Sequence, residues 1–202
     1  LVGGQPRQFN FTSNYVPDDP RNFSLNGERY FYGANVDIGP LWQAWSGNAY
    51  YINQMVNGVV DRRAVGTELR YAANGKNAFG LIDYDISYGA LNIAMLNGSW
   101  VTEGTTYTIL ADHRRTPYLT TTNALFGVPN ASLDLINTAN ESALRAQAKA
   151  ITATSDLFLA GVLHAVSQNW QLGGDVRYNR ISGTSANNCL VILPGTSTIF
   201  LN

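Results

Sequence analysis

Two groups of residues in this 202-residue chain have the types and spacing that chemistry needs. Asp83-Tyr84-Asp85 sets two carboxylates two positions apart, and Asp112-His113-Arg114-Arg115 places an imidazole beside a carboxylate. Carboxylates on one surface can share a proton for acid–base work, and a histidine oriented by an acid can act as a general base. Which of these holds depends on the local backbone. In a β-strand successive side chains point to opposite faces, so Asp83 and Asp85 share a face, whereas Asp112 and His113 point apart. Asp112 is therefore badly placed to orient the imidazole, and a polar ladder along the wet face of a sheet is the favoured role for Asp83 and Asp85. His164 sits in an apolar strand near a turn and reads as an interfacial side chain. With two histidines and one cysteine in the whole chain, no transition-metal site is expected. No catalytic residue and no cofactor are assigned.

The elements that must carry these residues are strands. Residues 64–101 form a β-meander: three segments of alternating apolar and polar side chains, broken at 72–77 and at 89–90. The same alternation predicts strands at about 30–38, 44–55, 61–71, 78–88, 91–101, 106–115, 153–166 and 170–181. Residues 1–28, rich in Pro, Asp and Asn, read as a loop region with one short strand near 8–12. The barrel strands and their loops occupy 29–202. Between 117 and 152 the alternation stops, and the Ala-rich spacing after Ser132 predicts a helix reaching Ala148 inside one long loop. A ninth strand is expected to begin near 197–201.

Each strand has a greasy face and a wet one. Tyr71, Ile82, Tyr84, Ile86, Tyr88, Trp170, Leu172, Val176 and Tyr178 are expected to face lipid or form an aromatic girdle. Arg62, Glu68, Arg70, Asp83, Asp85, Asp112, Arg114, Asp175 and Arg177 are expected to line a lumen, because ionisable groups at strand centres suit water better than a packed core. The arginines admit two uses, a cationic constriction or pairing with neighbouring acids across strands. Pairing is favoured, since each has an acidic neighbour within cross-strand reach.

Composition narrows the setting. Only 13% of residues are charged, against about 25% in ordinary soluble domains, and Lys76 and Lys149 are the only lysines. A net charge of -1 gives no electrostatic basis for nucleic-acid binding. No run of about 18 apolar residues is present, which excludes a spanning helix but not a spanning barrel. The segment LVGGQPRQFNF has none of the regions of a secretory signal. Five Asn-x-Ser/Thr triplets, at Asn10, Asn22, Asn97, Asn130 and Asn140, are near chance for a chain this rich in Asn, Ser and Thr. Cys189 reads as an incidental loop thiol.

Strands of about ten residues exceed the usual five or six and match the nine to eleven needed to cross a bilayer at a tilt. Connection lengths also alternate: with 117–152 outside, the short turns at 72–77, 102–105 and 167–169 fall on the periplasmic side. The expected fold is thus all-β, an antiparallel up-and-down transmembrane β-barrel of about 8–10 strands, partial or truncated. A soluble sandwich, propeller or lectin-like domain is the alternative.

The segments VDRRAVGTELRY, FGLIDYDISYGALNIAMLNGSW, DHRRTPYLTTTNALFG and WQLGGDVRYNRISGT resemble the C-terminal barrel of large proteobacterial outer-membrane proteins that carry an N-terminal tetratricopeptide-like region. That resemblance covers roughly residues 31–184 and implies fold and location, the outer membrane, without catalytic residues to carry over. The expected function is a passive, porin-like channel or export pore. A structural or adhesive barrel anchoring loops or a partner is the second hypothesis, and a soluble all-β binding domain the third. An omptin-like hydrolase is the sharpest enzymatic alternative and is disfavoured. Expected partners are outer-membrane lipid and a helical-repeat region or periplasmic protein.

Overall fold

The computed structural model describes residues 2–4, 7–11, 23–27, 29–41, 44–116, 119–125, 134–184, 190–193 and 196–199. Its strands are β1 (Val2–Gly4), β2 (Arg7–Phe11), β3 (Phe23–Gly27), β4 (Arg29–Leu41), β5 (Trp45–Val56), β6 (Val59–Ala73), β7 (Lys76–Asp85), β8 (Ala90–Thr102), β9 (Thr105–Thr116), β10 (Ala153–Ala165), β11 (Gln171–Ile181), β12 (Leu190–Leu193) and β13 (Thr196–Ile199). A 3-10 turn (Thr121–Leu125) and helices α1 (Asp134–Thr138) and α2 (Glu141–Ala150) lie between β9 and β10. Strands β4 to β11 form one antiparallel up-and-down sheet in sequence order, and β1 pairs with β4 at its edge. The pairs β2–β3 and β12–β13 are separate ribbons. Among the described residues no pairing joins the β1 edge to the β11 edge.

The eight long strands run 10 to 15 residues. Three of their hairpins close on two residues, Asn57-Gly58, Asn74-Gly75 and Glu103-Gly104, with both residues at positive φ. That is the turn whose twist matches antiparallel strands, and Asn-Gly reaches it at least cost. Alternation then separates two faces. Val65, Leu69, Ile82, Tyr84, Leu96, Trp100, Phe158, Val162, Leu172 and Val176 lie on one face and are all exposed. Asp83 and Asp85 on the other face are buried.

The apolar core sits at one end of the polar face. Leu119, Ala124, Leu125, Ile136, Leu144 and Ala148 come from the 119–152 connection and pack on Val56, Tyr88 and Ala90 at the strand ends. Helix α2 is set by Asn140, whose side chain caps the Ser142 N–H, by Glu141 in the first turn and by Lys149 in the last. An Arg145–Glu141 pair at 2.5 Å braces it at i,i+4 spacing.

Several boundaries differ from the sequence-based expectation. The strand expected over 78–88 ends at Asp85, because the Asp85 carboxylate accepts the Tyr88 N–H at 2.9 Å and turns the chain. Tyr88 thereby leaves the apolar face. It is buried at 5% exposure in the core and is not a girdle residue. Ile86 is exposed, in that turn rather than in a strand. Gly39-Pro40 does not stop β4, which continues to Leu41 across a register shift; β1 covers only Tyr30 to Tyr32 of its other edge, and an edge or bulge tolerates proline. The single helix expected from Ser132 to Ala148 is two helices separated at Ala139 and Asn140, and Ser132 lies outside the described residues. The described residues of the region 1–28 form three short strands where one is expected. The terminal strand β13 pairs with β12 and not with the main sheet. Cys189 lies outside the described residues.

Candidate functional site

The polar face carries two buried clusters, one within the sheet and one joining it to the helical cap. The first centres on Asp83. Its carboxylate accepts Arg62 at 2.6 and 2.7 Å, Tyr50 Oη at 2.5 Å and Asn92 Nδ2 at 3.1 Å. Strand pairing sets this up: Gly66 lies opposite Asp83 on β7 and opposite Tyr50 on β5. The Tyr50 ring passes over Gly66, where an added Cβ would fall 2.2 Å from the ring, and so reaches Asp83. Asn92 arrives through a register shift in β8 beside Asp83. A buried carboxylate with this many donors, one of them a guanidinium, has its desolvation offset by paired charge.

The second cluster centres on Asp61, which sits at the register shift between β5 and β6. Its carboxylate pairs with Arg29 at 3.0 Å and accepts both the backbone N–H and the hydroxyl of Thr122 at 2.9 Å. Thr121 Oγ1 donates to Val60 O at 2.8 Å. On the other side Arg145 of α2 donates to Ser87 O at 2.8 Å and lies over the Tyr88 ring. Burial pushes the Tyr88 phenol up to about 12, so it stays protonated and donates to Thr121 Oγ1 at 3.5 Å. The cap is thus bolted at the Asp61 bulge and at the 86–89 turn, with apolar packing between them.

The remaining acids and arginines pair mostly within a strand. Arg70 meets Glu68 at 2.7 Å, and Arg114 meets Asp112; both pairs are at i,i+2, on one face by alternation. Arg62–Asp83, between β6 and β7, follows the expected cross-strand pattern. Asp175 and Arg177 share a face of β11, both exposed. A recess of about 270 Å³ opens at the far end of the polar face, lined by Asp37, Asn48, Glu68 and Arg70. His113 does find an acid, Asp156 on β10 at 2.6 Å, which the sequence reading missed because the partner is 43 residues away in sequence. His164 Nδ1 meets Thr105 Oγ1 at 2.7 Å beside the Gly104 turn.

By alternation from Tyr107, which stacks on Trp100 at 4.9 Å on the apolar face, His113 and Asp156 also lie on the apolar face. The acidic pair and the histidine–acid pair are therefore on opposite sides of the sheet and enclose no common space. Among the described residues no three His, Cys, Asp or Glu side chains gather as a metal site, and no helix is long and apolar enough to cross a membrane.

No family model, curated protein or solved structure matches this chain. What the geometry offers by itself is a sheet with a bare apolar face and a charged face closed at one end by a bolted cap.

Proposed function

We propose that this chain is the wall of a bacterial outer-membrane β-barrel, a passive channel or export pore whose outer mouth is closed by its own 117–152 segment. One observation carries the proposal: the sheet buries ionisable side chains and leaves large apolar ones bare. Trp170, Leu172 and Val176 are 75%, 72% and 72% exposed, while Asp83 and Asp85 are at 2% and 0%. Soluble monomers rarely present a contiguous apolar patch above a few hundred Å²; lipid is the solvent in which such a face costs nothing.

Aromatic rows support the same reading. Trp45–Tyr71 and Trp100–Tyr107 contacts mark one end of the apolar face, and Tyr32–Tyr51, Tyr84 and Tyr178 mark the other. From Trp170 to Tyr178 the strand rises about 27 Å at ~3.4 Å per residue. A tilt of about 40° reduces this to roughly 21 Å, near the ~25 Å apolar band of outer-membrane barrels. Outer-membrane lipid is then the partner of this face. A helical-repeat region or periplasmic protein fits at the end opposite the cap. The separation of the Asp83/Asp85 pair from His113–Asp156 favours a barrel without hydrolase activity.

The cap favours a second reading, a structural barrel that anchors surface loops, because it fills the polar face at one end. Conductance in planar bilayers separates the two. Deleting Glu141–Ala150 from an inserted barrel is expected to raise conductance severalfold over the parent chain. Equal, near-zero conductance in both would support the anchor and overturn the pore.

A further inference from the structure

On the apolar face lies a trough of about 530 Å³ whose walls include Leu69, Ile82 and Leu96 and whose floor is made by Gly80, Ala94 and Ala111. It exists because small residues stand in register beside large ones. Gly80 pairs with Leu96, which pairs with Ala111, and Ile82 pairs with Ala94, which pairs with His113. A Cβ on Gly80 would meet nothing closer than 3.8 Å, so the trough is open above Gly80. Its volume falls in the ~300–1,000 Å³ range of small-ligand clefts.

At the cap end the trough runs directly into polar side chains. Ala94 is opposite His113, and Arg115 follows two residues later on the same face, held by its Nε–H to Leu91 O at 3.0 Å. His113 pairs with Asp156, and Asp156 is opposite Arg180 on β11. The edge therefore holds two guanidiniums and an imidazole against one carboxylate, a net positive rim at the end of an apolar slot.

We propose that this slot and rim bind one anionic, phosphate-bearing lipid, an acyl chain in the trough and its phosphate between Arg115 and the His113–Asp156–Arg180 row. Charge complementarity selects the occupant. A neutral chain would satisfy the trough alone, and free phosphate the rim alone, whereas an acidic lipid satisfies both at once. The inference rests on the membrane-barrel reading and adds a specific lipid to it.

Native mass spectrometry of the detergent-folded chain tests it with phosphatidylglycerol and phosphatidylcholine of identical acyl chains. One phosphatidylglycerol is expected to be retained about 25-fold better than phosphatidylcholine, given about fivefold for each of the two arginines at a headgroup. The double variant Arg115→Gln/Arg180→Gln should erase that preference by weakening phosphatidylglycerol more than phosphatidylcholine, and Ala94→Phe, which fills the trough, should weaken both lipids. Equal retention of the two lipids by the parent chain, or retention untouched by either variant, overturns the site. A chain that folds in detergent but shows no preference defeats this inference alone. A chain that does not fold in detergent defeats the barrel reading and the lipid site with it.

Discussion

Replacing Asp83 with alanine is expected to destabilise the sheet by about 3–5 kcal/mol, the usual result of stripping one partner from a buried ion pair. The loss is large because Asp83 serves Arg62, Tyr50 and Asn92 together. Arg62 is left with a charge at 13% side-chain exposure, and Tyr50 Oη loses the carboxylate that it meets across Gly66. Asp83→Asn keeps the shape and loses the charge, so it should fall between. Urea midpoints in detergent, read by circular dichroism, measure the series. An Asp83→Ala midpoint within error of the parent would mean that the cluster is dispensable.

The second large effect is expected at Asp61 and is local instead of global. Asp61→Ala removes a charged partner of Arg29, which keeps its bond to Gln54 Oε1, and the acceptor for both donors of Thr122, while the backbone pairing of β4 to β11 does not use the Asp61 side chain. A loss of about 3–5 kcal/mol at a buried carboxylate raises the open population of the cap by roughly 10²- to 4 × 10³-fold if the cap opens as a unit. Limited proteolysis should then cut the 117–152 segment faster by that order, with the remaining β-structure intact. Unchanged cleavage would show that apolar packing by Leu125 and Leu144 holds the cap without the Asp61 bolt.

The two clusters differ in how far the sequence revealed them. The strands and their faces were legible because period-2 alternation is a local signal: Ile82, Asp83, Tyr84 and Asp85 sort themselves by position alone. Asp83 with Arg62 was foreseeable from cross-strand reach. The Asp61 bolt was not, because it depends on an extra residue at a register shift and on Thr122, 61 residues away. Tyr88 was misplaced for a related reason. Alternation predicts one more apolar position, but the Asp85 carboxylate captures the Tyr88 N–H and turns the side chain into the core. Pairing of arginines and acids at i,i+2 within one strand, as in Arg70–Glu68, was equally open to the sequence but lay behind the cross-strand pattern. The cap's position against Val56 and Ala90 is a tertiary contact with no local signature, although a connection of that length is usually functional or mobile.

The most direct measurement is refolding of the chain in detergent and, separately, in plain buffer, each followed by circular dichroism and by gel mobility with and without heating. A bilayer-facing sheet predicts β-structure that forms only in detergent and a folded band that shifts on boiling. A cooperative β-fold in plain buffer, with mobility indifferent to heat, would contradict it and assign the bare apolar face to a protein partner.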